Sequence, residues 1–89
     1  MPTISMFYGI IVMMYYFDTE RHHLPHIHIR YGEYSCSVSI PDGDILSGEF
    51  PKNKLKLVWA WIELHQDELL ANWELAINGQ KLFDIKPLQ

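Results

Sequence analysis

Apolar and polar residues alternate most clearly from His26 onward. Ile27, Ile29 and Tyr31 fall on one side of an extended chain, and His26, His28 and Arg30 on the other. Pro25 biases Leu24 toward extended backbone, so a strand is expected to begin at His26. Gly32 and Glu33 stand where a two-residue hairpin loop with glycine first places them, a type II′ turn. With Tyr31 opposite Tyr34, the register pairs Arg30 with Ser35, Ile29 with Cys36, His28 with Ser37, Ile27 with Val38 and His26 with Ser39. Ile27, Ile29, Tyr31, Tyr34, Cys36 and Val38 then share one face, and His26, His28, Arg30, Ser35, Ser37 and Ser39 the other. A slip of one residue would mix the two sets, so the sorting itself supports the hairpin.

The next turn, "IPDGD", suits a type I turn closed by a left-handed Gly43, pairing Ile40 with Asp44, Val38 with Leu46 and Ser37 with Ser47. A third strand, "DILSGEF", continues the serine and histidine face. Upstream, Ile10 to Phe17 is apolar on both faces, as in a central strand, and Gly9 turns it back on a short strand from Thr3 to Phe7. Pro51 suits the first turn of a helix. Val58, Ile62, His65, Leu69, Trp73 and Ala76 recur at helical spacing, and Gly79 stands where a left-handed cap ends the run. One helix of that length would span about 40 Å at 1.5 Å per residue, long for so small a sheet, so a break near His65 to Asp67 is the alternative. The tail "KLFDIKPLQ" suggests a short extended segment stopped by Pro87. The expected fold is α+β, an antiparallel meander of about four to five strands with one long or broken C-terminal helix packed on one face.

Composition bounds this picture. Eighty-nine residues with 48% apolar content suffice for one core, so residues 1–89 are expected to form a single two-layer domain. The most apolar run, "IIVMMYYF", is far shorter than the ~20 residues of a membrane-spanning helix, which disfavours a membrane partner. The only cysteine, Cys36, has no intrachain disulfide partner, and "MPTISMFYGI" lacks the features of a secretion signal, so a cytoplasmic location is expected. The net charge of −4 is uneven. Residues 1–51 carry two arginines against six acids, whereas residues 52–89 carry five lysines against five acids. Nonspecific nucleic-acid binding is therefore disfavoured, although Lys52, Lys54 and Lys56 leave room for a local contact.

The chemistry worth weighing lies in "RHHLPHIHIR". Two histidines in an H-x-H strand point the same way, roughly 6 to 7 Å apart, so His26 and His28 could share a divalent ion, zinc or manganese, with His23 or His22 as a third ligand. Glu49 is a further candidate, because odd-numbered positions of the third strand share the histidine face. A histidine-based hydrolase or nuclease is a different reading. His28 faces Ser37 and His26 faces Ser39, so a histidine could act as base for a hydroxyl, and a metal-independent nuclease using His22, His23, Arg21 and Arg30 on RNA is a separate form. Against both stands a plain polar strand face, since Ser35, Ser37 and Ser39 alternate and no glycine-flanked nucleophile turn is present. Cys36, on the apolar face, fits a small core residue, and His65 a semi-buried one. Trp59, Trp61 and Trp73 on one helical segment cannot all face one core, so Trp59 and Trp61 are candidate anchors for a protein partner.

"HHLPHIHIRYGEY", with the preceding "GIIVMMYYFD", the later "GEFP" and the helical "VWAWIELHQDELLANWELA", resembles a small bacterial family known as domain of unknown function 4160. The family signature falls on His23, Pro25, His26, His28, Tyr31, Gly32 and Glu33, with Trp61, His65, Leu69 and Trp73 on the helix. The resemblance implies a short bacterial cytosolic protein, often encoded beside another small protein in an arrangement similar to toxin and antitoxin pairs. It brings no catalytic role with it. The leading expectation is therefore an interaction module whose partner is a small protein from an adjacent gene, with toxin, antitoxin, neither role and homo-oligomerisation all left open. The competing expectation is the metal-dependent or histidine-based hydrolase. The candidate functional face for both is His22, His23, His26, His28, Arg30, Ser37 and Glu49.

Overall fold

The computed structural model describes residues 2–17 and 24–89. Among these, five strands and two helices follow one another: β1 (Thr3–Phe7), β2 (Ile10–Met13), β3 (His26–Tyr31), β4 (Tyr34–Ser39), β5 (Ile45–Glu49), α1 (Lys52–Leu64) and α2 (Gln66–Ile77). The strands form one antiparallel sheet in the order β1-β2-β3-β4-β5, a plain meander. The fold is α+β, as expected.

All six pairs of the β3–β4 hairpin occur in the expected register. Gly32 has φ 59° while Glu33 keeps a negative φ, as the II′ turn requires. The β4–β5 register departs from expectation. Ser37 does face Ser47, but Val38 faces Ile45, with Leu46 inserted as the extra residue of a bulge. At the same end of the sheet the Ile40 N–H donates to the Pro25 carbonyl (2.9 Å), which prolongs the β3–β4 ladder. The turn closes one residue earlier, with the Ser39 N–H bonded to the Asp44 carbonyl and the Gly43 N–H to the Ser39 carbonyl, both 2.8 Å.

Strand β2 is shorter than the apolar run that suggested it. Its last pair with β3 is Met13 with His28. Beyond that the chain leaves the sheet, with the Met14 N–H on the Pro2 carbonyl (3.1 Å) and the Phe17 N–H on the Ala76 carbonyl at the end of α2 (3.0 Å).

The helical stripe occurs as spaced. Val58, Ile62, Leu69, Trp73 and Ala76 are buried, and His65 is half-buried. The helix bends at His65 (φ −122°), yet its N–H still reaches the Trp61 carbonyl (3.1 Å) and its carbonyl accepts the Leu69 N–H (2.9 Å). The hydrogen-bond ladder therefore passes through the bend. Pro51 stands just before α1, its carbonyl accepting the Lys54 and Leu55 N–H groups. Gly79 closes α2 with a Schellman motif, the Gln80 N–H on the Leu75 carbonyl (2.9 Å) and the Gly79 N–H on the Ala76 carbonyl (3.1 Å).

Ile10, Val12, Ile27, Ile29, Cys36 and Val38, which share a sheet face, form one core with Leu55, Val58, Trp61, Ile62, Leu69, Trp73 and Ala76 of the helices. The C-terminal tail is held against this core at three points. Asn72, fully buried on α2, donates to the Phe83 carbonyl (2.8 Å) and accepts the Phe83 N–H (3.1 Å). The Trp61 indole donates to the Lys86 carbonyl (2.9 Å), and the Ile85 N–H donates to Ile4 of β1 (2.8 Å).

Candidate functional site

Directly paired residues share a sheet face, so the ladder lays out the side opposite the helical core row by row. Met6, Ile11, Arg30, Ser35 and Glu49 form one row across all five strands. Met13, His28, Ser37 and Ser47 form the next, and His26 with Ser39 a third. Burial deepens from row to row. Met6, Arg30, Ser35 and Glu49 are exposed, His28 is half-buried, and His26 and Ser39 are enclosed at 1% and 0% exposure.

An even, solvated histidine face is thus replaced by a graded one. His26 is enclosed, and the Trp73 ring of α2 packs against it (4.9 Å between centroids). Its Nδ1 donates to the Leu24 carbonyl (2.7 Å), an acceptor only, so Nδ1 carries the proton in that contact. His28 is covered from the other side by Tyr15, stacked at 4.0 Å and 17°. Its Nδ1 lies 3.2 Å from the Ser37 hydroxyl, so the pairing of histidine with serine expected from the register is a side-chain contact as well. The Ser39 hydroxyl is buried without a hydrogen-bond partner among the described residues.

Tyr15, His28, Arg30, Ser35, Ser37 and Ser47 line a groove of about 290 Å³ where the face passes from open to closed. Arg30, Ser37 and Glu49 of the expected functional face do lie on it together, although Glu49 stands beside the groove rather than in its wall. His22 and His23 lie outside the described residues, so the expected ligand set His23, His26 and His28 is represented by two members only. The rings of His26 and His28 meet edge to face, 5.2 Å apart. Among the described residues no group of three or more histidine, cysteine or acidic side chains comes together to hold a metal ion.

Of the two tryptophans expected as partner anchors, one is taken up by the core. Trp61 is fully buried against Phe7 (5.3 Å between ring centroids) and the tail, so it is a core residue and not a docking anchor. Trp59 is half-buried, and its indole donates to the Gly43 carbonyl (2.7 Å), tying α1 to the β4–β5 turn. Helical spacing made both visible but did not tell which would be drawn inward.

Tyr15 is the member of the site that sequence reasoning missed. Two residues beyond Met13, it inherits the histidine face by alternation. That is readable only once Met13 is known to pair with His28, and no short turn sets this register because the connection from β2 to β3 is long.

Cys36 lies on the apolar face, and burial pushes its thiol up from 9.0 to about 11. The folded state favours the neutral thiol, so this contribution to stability is fully present below 9.0 and is lost as pH rises through about 11. At pH 8 the thiolate fraction is lower than in the unfolded chain by about 100-fold, and a thiol-reactive dye should label native protein slower by at least that factor. Following dye absorbance with and without denaturant measures the ratio, and equal rates would place Cys36 at the surface.

The family described as domain of unknown function (DUF4160) matches residues 9–74, and the chain belongs to it. No curated protein and no solved structure matches the chain.

Proposed function

For a member of this family, we propose the role of a small interaction module that docks a partner protein on the open row of its sheet. The observation that supports this reading is the row Met6, Ile11, Arg30, Ser35 and Glu49, which crosses all five strands opposite the helical core. Four spacings of about 4.8 Å make it roughly 19 Å long. Met6 is 61% exposed, and Tyr8 and Tyr34 stand exposed at the same end of the sheet, beside the two hairpin turns. Methionine, tyrosine and arginine are the residue types enriched where protein partners meet. The resemblance noted above supports the product of an adjacent gene as the proposed partner, the two forming a cytoplasmic pair of toxin and antitoxin type. No helix among the described residues is long and apolar enough to cross a membrane.

Co-expression of the adjacent gene product tests this. The two proteins should co-purify, and Arg30→Glu combined with Ser35→Trp should abolish co-purification without lowering the melting temperature, since both positions are exposed. Absence of association, with no growth phenotype from either protein alone, would remove the reading.

A second reading, a histidine-based hydrolase, is favoured by one observation, the contact between His28 and Ser37 in the wall of the groove. It is the weaker of the two, because Ser37 is buried in mid-strand and no carboxylate among the described residues lines the groove to orient His28. Hydrolysis of a phosphoester by wild type, abolished in Ser37→Ala, is the result this reading requires.

A further inference from the structure

The groove that meets the open row at Arg30 and Ser35 differs in chemistry, among its described residues, from the chain that forms it. The protein carries eleven carboxylates and a net charge of −4, yet no carboxylate among the described residues lines this groove. Its lining instead includes Arg30, His28, Ser35, Ser37 and Ser47, beside Met13, Tyr15, Ile29 and Cys36. The first five come from three adjacent strands. Arg30 and Ser35 face each other directly, as do His28 and Ser37, and Ser37 and Ser47, so these residues share one patch of the sheet face. Arg30 is exposed and makes no ion pair among the described residues.

We propose that this groove binds the phosphate group of a small phosphate monoester. A carboxylate presents two acceptor oxygens and is satisfied by one guanidinium edge. A phosphate monoester presents three terminal oxygens and takes up the additional hydroxyl donors that the exposed Ser35 and Ser47 supply, with Ser37 held against His28 behind them. The volume of about 290 Å³ is several times that of a phosphate group, which leaves room for the organic half of the ester. It also lies at the lower end of the ~300–1,000 Å³ usual for small-molecule sites, which favours a compact metabolite over a macromolecule. Glu49, paired with Ser35 at the edge of the groove, is the nearest opposing charge on the row. It weakens binding without entering the wall. The inference goes beyond both functional readings, since it names a ligand that neither requires; Arg30 and Ser35 belong to the open row as well as to the groove, so a partner docked there would compete with the ester.

The test is an amide-shift titration of the isotopically labelled full chain with ribose 5-phosphate at constant ionic strength, with benzoate and a phosphoserine peptide as parallel arms. Saturable shifts are expected at Arg30, Ser35, Ser37 and Ser47 with ribose 5-phosphate. Arg30→Gln should weaken binding by about tenfold or more through loss of a charge-assisted contact. Glu49→Gln should tighten it, and both variants should keep the wild-type melting temperature. The proposal is overturned by the absence of saturable shifts up to about 10 mM ribose 5-phosphate. It is equally overturned by affinity indifferent to Arg30→Gln, by benzoate binding as tightly, or by the phosphopeptide binding more tightly than the sugar phosphate. Co-purification with the adjacent gene product is scored separately, so failure of one idea leaves the other standing.

Discussion

Replacing Trp61 with alanine is expected to destabilise the protein by about 3–5 kcal/mol, the range for removing a fully buried large aromatic side chain. Trp61 has no exposed surface. Its ring packs on Phe7 of β1, and its indole N–H supplies the bond that holds the tail at Lys86. The substitution therefore opens a cavity between α1 and the sheet and leaves a tail carbonyl without its donor. At about 0.05–0.15 kcal/mol per residue, a chain of this size has a total stability of roughly 4–13 kcal/mol, so the loss is a large share of it. Trp61→Phe keeps most of the packing and should cost less, about 1–3 kcal/mol, mainly through the lost hydrogen bond. Chemical denaturation measures both. A change in Trp61→Ala within about 0.5 kcal/mol of wild type would mean that the residue is a surface anchor after all.

Gly48→Ala should be the most damaging change in the sheet. Gly48 pairs with Cys36 at φ 89°, and a Cβ built there would lie 2.3 Å from the Ser35 carbonyl oxygen and 2.8 Å from the Cys36 Cα. Both obstacles are backbone, so no side chain can move aside. Left-handed strain of about 1–3 kcal/mol adds to the cost of pushing β5 away from β4, giving about 3 kcal/mol or more in all. Because β5 is the edge strand, the damage should be local, with amide protection lost first at β5 while α1 and α2 stay protected. Denaturant midpoints and amide exchange read the two effects. An unchanged midpoint would show that β5 does not approach β4 as closely as the fold requires.

What could be read from the chain follows how local the deciding interactions are. The β3–β4 register was legible because a two-residue turn ties each strand position to one opposite it, and the alternation of isoleucine with histidine admits only one sorting. The helical stripe was legible for a similar reason, as Val58 to Ala76 recur at a spacing set by the helix itself. The bulge at Leu46 was not, because the turn closes through the Ser39 N–H on the Asp44 carbonyl, a choice between neighbouring acceptors that residue types do not mark. His26 packs against Trp73, 47 positions further along, which alternation within one strand cannot reveal. Nothing local to Asn72 marks it in the sequence, yet its amide clamps both backbone groups of Phe83. The candidate site divides along the same line. Arg30, His28 and Ser37 were legible from the hairpin, whereas Tyr15 and the split between an open and a closed half required the tertiary fold.

The docking reading stands or falls on where a partner touches this protein. Mapping amide shifts of the labelled chain on addition of the purified adjacent gene product answers that directly. The account predicts changes at Met6, Ile11, Arg30, Ser35 and Glu49, with the helices unaffected. Changes centred on Trp59 and the outward side of α1, with the open row silent, would contradict it.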